Sequence, residues 1–291
     1  MKHLIIVVLS SIMACTNSDL PTGQKAIIWS SSTTQLPYLK VVYSNNTRTD
    51  AIFDIIIARK LAISKSSSEI DAITLFNDSE FESFLYQFEN VRSLTLSKNK
   101  CQKLSIDFNN FPMLEEVIIS NSDIDSLFYD YKTYKHIKRL DVWMCNIREI
   151  GHGLEGFTGL QKLRIYNCPN VSITSDFSRL TLLSDLTIAE CKLHELPKGI
   201  DRCFNLNSVT FFDNYLDTIP EAFKNLVNVK YYDFSYNRFR KKPFVLEHLD
   251  KFVEVGFFYQ AETPLKIKEL DKILRVRQKK YQSRIALQHP Q

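Results

Sequence analysis

Leu183-Ser184-Asp185-Leu186-Thr187-Ile188-Ala189-Glu190-Cys191 is followed, 23 residues on, by Leu206-Asn207-Ser208-Val209-Thr210-Phe211-Phe212-Asp213-Asn214. Both segments are apolar at positions 1, 4 and 6 and end in a small residue with a hydrogen-bonding side chain at position 9. Stepping by 23 in both directions from Leu183 extends the pattern. Position 1 runs Val91, Leu114, Ile137, Leu160, Leu183, Leu206, Val229 and Phe252, with one further start, Ile70, 21 residues before Val91. Position 4 runs Ile73, Leu94, Val117, Leu140, Leu163, Leu186, Val209, Tyr232 and Val255. Position 6 runs Leu75, Leu96, Ile119, Val142, Ile165, Ile188, Phe211, Phe234 and Phe257. With 44% hydrophobic residues in the chain, the chance that all of these are apolar in one preset phase is on the order of 10⁻¹⁰. A fixed period of this length is the mark of a stacked repeat architecture.

Position 9 reads Asp78, Asn99, Ser122, Cys145, Cys168, Cys191, Asn214 and Asn237. Repeats 6 and 7 add Leu196-Pro197-Lys198-Gly199-Ile200 and Ile219-Pro220-Glu221-Ala222-Phe223. From about residue 70 to 260 the chain therefore resembles the leucine-rich-repeat family, through its LxxLxLxxN/C core and LPxxI ending. The resemblance implies an α/β solenoid, a curved horseshoe of about eight to nine 23-residue repeats with a parallel β-sheet on its concave face. It implies protein binding as the usual role, and no cofactor.

The periodicity has a physical reading. Positions 3 to 7 form a short strand, so 4 and 6 point inward and 3, 5 and 7 outward. A single strand cannot bury its own face, and stacking neighbours at about 4.8 Å makes a parallel sheet. Position 9 turns the chain away, and a buried Asn there satisfies backbone groups that each cost roughly 1–3 kcal/mol if orphaned. Cys is a weaker substitute. Positions 18 and 21 are expected to close the core from the convex side: Phe108, Tyr131, Leu154, Phe177, Ile200, Phe223 and Leu246, then Phe111, Tyr134, Phe157, Leu180, Cys203, Leu226 and Leu249. In repeat 5, Asn170 takes position 11 with Val171 one residue late, which predicts a local bulge. Lys242 at position 14 of repeat 8 marks the approach to the end of the array. The open edges need covering. Residues 25–69 are the candidate N-terminal cap, with Asp50 capping a helix over Ala51–Ile63. Residues 261–291 are a basic C-terminal cap or tail, with eight Lys/Arg against three Asp/Glu.

The first 14 residues read as an address. Lys2 and His3 precede an apolar run, Leu4 to Leu9, too short to span a bilayer core of about 30 Å. Ile12-Met13-Ala14-Cys15 resembles the lipobox of bacterial lipoproteins. That resemblance implies removal of residues 1–14, lipidation of Cys15, and a tether over 15–24. It places the mature chain in a bacterial cell envelope, and Thr16 after the cysteine implies the outer membrane. Multiple acyl chains give stable anchoring where one is marginal.

Several functional classes find no support. A net charge of +4 is too balanced for a dedicated nucleic-acid binder. Gly151-His152-Gly153-Leu154-Glu155-Gly156 matches a GxGxxG nucleotide fingerprint, but it falls on the convex side of repeat 4 and joins no βαβ unit. Cys145, Cys168 and Cys191 stand one repeat apart and project in parallel, which does not suit the convergent tetrahedron of structural zinc. The six histidines are scattered, and no catalytic motif is present, so the expectation is a non-enzymatic chain without a metal.

The outward columns carry the sharper expectation. Position 7 reads Phe76, Ser97, Ser120, Trp143, Tyr166, Ala189, Phe212, Ser235 and Phe258, with Tyr231, Tyr236 and Tyr259 nearby. Lys138, Arg139, Lys162 and Arg164 accompany Trp143 and Tyr166. Glu115 and Glu116 lie to one side, and Asp185, Glu190 and Asp213 to the other. Tryptophan, tyrosine and arginine grouped on a surface are the residues binding hot spots favour. The expected partner-binding residues are Arg139, Trp143, Lys162, Arg164, Tyr166, Phe212, Tyr231 and Tyr236. A protein or peptide is the expected partner. A glycan or lipid headgroup is the alternative ligand, and a secreted, host-directed effector the alternative setting.

Overall fold

The computed structural model describes residues 38–43, 49–52, 61–76, 83–104, 106–128, 130–240, 243–247 and 254–257. Cys15, the residues assigned to signal and tether, Asp78, Leu249, Phe252, Phe258, Tyr259 and the basic tail 261–291 lie outside them.

The chain is a leucine-rich-repeat solenoid. In the first repeat β3 (Ile70–Phe76) already opens at position 1; in the following eight, position 3 opens a strand on the same face, at Ser93–Ser97, Glu116–Ser120, Arg139–Trp143, Lys162–Tyr166, Asp185–Ala189, Ser208–Thr210, Tyr231–Asp233 and Glu254–Gly256. In chain order these eight are β4, β6, β8, β10, β12, β13, β14 and β15. They pair in parallel, each with the next, and the register equals the sequence period: Leu140 faces Leu163, Leu163 faces Leu186, Leu186 faces Val209. The shorter first step is kept too, with Ile73 opposite Leu94. Positions 1, 4 and 6 are buried throughout repeats 2 to 7, as a strand with one face on the core requires. In repeat 5, Val171 is buried and Asn170 exposed, so the late apolar residue takes the core position.

The N-terminal edge is covered by β1 (Tyr38–Tyr43) and β2 (Thr49–Ile52), an antiparallel pair that extends the sheet beyond β3. Leu39, Val41 and Tyr43 alternate into the core. This corrects the start of the helix expected from Ala51. Asp50 stands opposite Val41 in the ladder, and Ala51 and Ile52 belong to β2; residues 53–60 of the expected span lie outside the described residues, and Leu61–Ala62 are helical. β1 takes the free edge of β3 and leaves its own edge open to β2, and satisfying that row of backbone groups outweighs local helix preference at Ala51–Ile52.

A second sheet was not foreseen. After the turn at position 9, repeats 2 to 5 add short parallel strands: β5 (Lys100–Lys103), β7 (Asp123–Leu127), β9 (Asn146–Ile150) and β11 (Ser172–Ile173). It stops at repeat 5 for a covalent reason. At position 15, Gly151 N–H donates to Leu127 O at 2.8 Å and Thr174 N–H to Ile150 O at 3.1 Å. In repeats 6 and 7 that position is Pro197 and Pro220, which have no N–H to give.

The convex side is built from 3₁₀ turns, such as Phe108–Asn110, Phe177–Arg179 and Ile200–Arg202. Phe108, Leu154, Phe177, Ile200, Phe223 and Leu246 are buried there, as are Phe111, Tyr134, Phe157, Leu180, Cys203 and Leu226. Tyr131 is the exception and corrects the expectation. It is 79% exposed and stacks on His152 with ring centroids 6.3 Å apart. The half-buried Phe128 fills the space instead, edge-on to Phe157 at 4.9 Å. The Gly151–Gly156 motif serves this packing. Gly153 N–H donates to Phe128 O at 2.6 Å, and a Cβ at Gly153 or Gly156 would collide with the backbone of repeat 3.

Position 8 has a backbone signature. Lys98, Asn121, Met144, Asn167, Glu190, Asp213 and Tyr236 all have φ between 50° and 60°. This left-handed step ends the strand and swings position 9 inward. Of the residue types in this column only Asn and Asp adopt it with any ease.

Candidate functional site

The buried ladder at position 9 fixes the sheet from beneath. Asn214 Nδ2 donates to Ile188 O at 2.8 Å, while its Oδ1 accepts from the N–H groups of Cys191 and Leu193 at 3.2 and 3.1 Å. Asn237 Nδ2 donates to Phe211 O at 2.8 Å and its Oδ1 accepts from Leu216 N–H at 3.0 Å. In the middle repeats thiols substitute. Cys145 Sγ lies 3.2 Å from Trp143 O and Cys191 Sγ 3.1 Å from Ala189 O. The Cys145 thiol is held well above its ordinary range by its hydrogen bond with Cys168 and by burial. Burial pushes Cys203 up to about 12. These are protonated donors inside the core. Cys101, Cys145, Cys168, Cys191 and Cys203 are unbridged, and among the described residues no three His, Cys, Asp or Glu side chains are grouped to hold a metal.

Above this floor the outward side chains form the candidate site. Arg139 and Trp143 on β8 stand opposite Lys162 and Tyr166 on β10, and Arg164 stands opposite Asp141. Five of the eight expected residues are thus brought together on two adjacent strands. Phe212, Tyr231 and Tyr236 form a second group around β13 and β14, with β12 between. Phe212 meets Tyr236 edge-on at 4.9 Å, and Tyr231 donates to Asp233 Oδ2 at 3.2 Å. Tyr236 is buried, 6% exposed, so it supports Phe212 from below and presents little surface.

The residue that sequence reading missed is Asp141. It occupies outward position 5 of repeat 4, yet it is buried, and its Oδ2 accepts from Arg139 Nη2 at 2.7 Å with Arg164 Nη1 at 3.7 Å. Arg139 Nη1 also reaches Glu116 Oε1 at 3.1 Å. Glu116, Arg139, Asp141 and Arg164 therefore form one network across β6, β8 and β10. Lys138 is paired with Glu115 at 2.5 Å, which lowers the Glu115 pKa. The basic strip is neutralised within the sheet at Lys138 and Arg139 and partly at Arg164, leaving Lys162 exposed beside two half-buried aromatic rings. The signal for Asp141 was legible: a carboxylate on an outward position between arginines of its own and the next strand.

The C-terminal side of the patch is acidic. Tyr166 donates to Glu190 Oε1 at 2.6 Å. Burial pushes the Glu190 carboxyl up from its ordinary range, the Tyr166 bond opposes this, and Asp213 reinforces it. Burial raises Asp213 as well. A carboxyl with a raised folded-state pKa binds its proton more tightly in the folded chain. Its contribution to stability is full below the ordinary carboxylate pKa and is lost as pH rises through the raised value. Glu190→Gln, which keeps an acceptor for Tyr166, is therefore expected to melt above the wild type at pH 7. The gap should close below about pH 4. Melting curves of the two chains across that range check it, and equal melting at pH 7 would contradict it.

No family model matches the sequence, and no curated protein is similar to it. Solved structures are similar in shape. A leucine-rich-repeat protein of Leptospira interrogans aligns over 71% of this chain at 14% identity with a TM-score of 0.42, and the chain spans 64% of that protein. Internalin C2 of Listeria monocytogenes aligns over 74% of this chain and 87% of its own at 18% identity, with a TM-score of 0.47. Human trophoblast glycoprotein aligns over 65% of this chain and 76% of its own at 18% identity, with a TM-score of 0.51. At these identities the likeness concerns architecture, and it agrees with the register read strand by strand: the fold is that of leucine-rich-repeat proteins.

Proposed function

We propose that this chain is a non-enzymatic protein-binding solenoid that engages a protein or peptide partner on its concave sheet. The observation that carries the reading is the group on β8 and β10. Trp143 and Tyr166 stand side by side with Lys162, and the Glu116–Arg139–Asp141–Arg164 network fixes the surface around them. Aromatic rings on a preformed, hydrogen-bonded surface lose little freedom on binding, which is how hot spots reach high affinity. Phe212 and Tyr231 extend the contact towards the acidic side. Such a face suits a partner whose own charges alternate. The ion pairs of Arg139 and Arg164 weigh against the alternative of an acidic glycan, because a ligand anion would have to displace Asp141.

Cross-linking on intact cells identifies the partner. Trp143→Ala with Arg164→Ala is then expected to weaken binding about 30-fold or more. Unchanged affinity would remove this patch from the reading. The proposed setting is a bacterial cell envelope, probed separately, with lipidation at Cys15 and residence at the outer membrane. Labelled palmitate should enter the wild type and be lost in Cys15→Ala, whereas release of the unlabelled chain into the medium would favour a secreted effector.

A further inference from the structure

We infer that the turn ridge at the lower rim of repeats 5 to 7 is a contact surface for an anionic lipid bilayer. The ridge consists of the two-residue turns Thr181–Leu182, Phe204–Asn205 and Val227–Asn228, each just before a strand of the main sheet. Leu182, Phe204 and Val227 are 49%, 55% and 81% exposed. Each stands between buried neighbours, Leu180 and Leu183, Cys203 and Leu206, Leu226 and Val229. The backbone is thus held on both sides while the tip side chain projects outward.

Successive turns are tied together. Asn205 Nδ2 donates to Thr181 O at 2.7 Å, and Asn228 Nδ2 donates to Phe204 O at 2.8 Å. Phe204 and Val227 are thus set one repeat apart at position 22, and Leu182 stands one residue later, at position 23 of repeat 5, so three apolar side chains project from adjoining turns that are tied together. Beside them, in the convex turns, Arg179, Arg202 and Lys224 are all exposed, one per repeat. The carboxylates of the same segments, Asp176, Asp201 and Glu221, each lie further from the tip along the chain than the cation of that turn. Asp176 is already engaged, accepting from Ser178 N–H at 2.8 Å, and Asp201 is half-buried.

Apolar tips flanked by cations match an interface that is apolar inside and negatively charged at its surface. A protein partner fits less well. A stable protein interface needs roughly 800 Å² from each side, and a single row of protruding tips without a groove offers far less. A bilayer asks for no shape complementarity. The site lies on the rim, apart from the concave patch, and needs no lipidation at Cys15.

The full chain is mixed with vesicles of phosphatidylglycerol and phosphatidylcholine in equal parts, and with vesicles of phosphatidylcholine alone. Binding is expected to the first and to be weaker to the second. In Leu182→Ser/Phe204→Ser/Val227→Ser the lipid concentration for half-maximal binding should rise about tenfold. No binding by the wild type, or equal binding by the variant, overturns the inference. Phe204→Trp supplies a measurement that does not depend on the triple variant folding. Bromine-labelled phospholipid should quench its fluorescence beyond that of the wild type, and the absence of added quenching places the ridge in water and ends the proposal.

Discussion

Gly156→Ala is expected to destabilise the solenoid by about 3 kcal/mol, at or above the upper end of what overpacking usually costs. The reason is position. A Cβ on Gly156 would lie 2.9 Å from the carbonyl carbon of Lys132 and nearer still to its oxygen. Real Cβ atoms do not approach backbone so closely, and no flexible side-chain end is available to move. Relief requires repeats 3 and 4 to separate on the convex side. That breaks the bond from Tyr134 N–H to Gly156 O at 2.8 Å and loosens Phe157, which packs against Tyr134 at 4.8 Å, Phe128 at 4.9 Å and Phe108 at 6.0 Å. Gly159 is in the same position against Lys135, whose carbonyl carbon would be 2.6 Å from an added Cβ. Urea unfolding of the single variants gives the loss, and hydrogen exchange at the Tyr134 amide locates it. A loss under about 1 kcal/mol in both variants would mean that the two repeats are not in backbone contact.

The same contact shows what the sequence could and could not disclose. The main sheet was legible because its positions repeat: wherever Leu, Ile or Val recurs at positions 4 and 6, the register follows from the period. Position 9 was legible for the same reason, since Asn99, Asn214 and Asn237 recur where a turn must be fed with hydrogen bonds. The glycines of repeat 4 were visible only as a failed nucleotide motif, because their role depends on the backbone of repeat 3 and on no periodicity of their own. β2 was misread because local pattern at Ala51–Ile52 does not record the open edge of β1 that captures it. The second sheet went unseen because Asp123–Leu127 and Asn146–Ile150 do not alternate: their buried residues, Ile124 and Leu127, Ile147 and Ile150, stand three apart. Its extent is set by where proline first occupies position 15. The left-handed column at position 8 carries no glycine at all, so composition gives no hint of it. At the candidate site, residue types placed Arg139, Trp143, Lys162, Arg164 and Tyr166 together correctly. Charge state was the hidden variable: Asp141 draws two of those cations into the sheet, and only coordinates show that Tyr236 lies beneath Phe212.

Asn214→Ala should lower stability by roughly 3–5 kcal/mol, because it strands several buried backbone groups at once. The Oδ1 acceptor serves Cys191 N–H and Leu193 N–H, and the Nδ2 donor serves Ile188 O and, at 3.3 Å, Phe212 O. The side chain is 1% exposed, so water cannot replace it without opening the turn. Asn214→Cys discriminates between loss of bonding and loss of volume. The protein already tolerates thiols at this position in repeats 4 to 6, where Cys145, Cys168 and Cys191 each point Sγ at the carbonyl two residues back. A thiol at 214 restores one donor, for Phe212 O or Ile188 O, and is a poor acceptor for two N–H groups. Its variant should therefore fall between wild type and alanine in urea midpoint. If Cys proves no better than Ala, the ladder acts by filling space, and hydrogen bonding is not what selects Asn there. The intermediate outcome would instead explain why thiols occur only in the middle of the array: each sits between complete neighbouring repeats, whereas Asn214 and Asn237 hold repeats 7 and 8, where the main-sheet strands shorten to three residues and side-chain bonds replace lost ladder bonds.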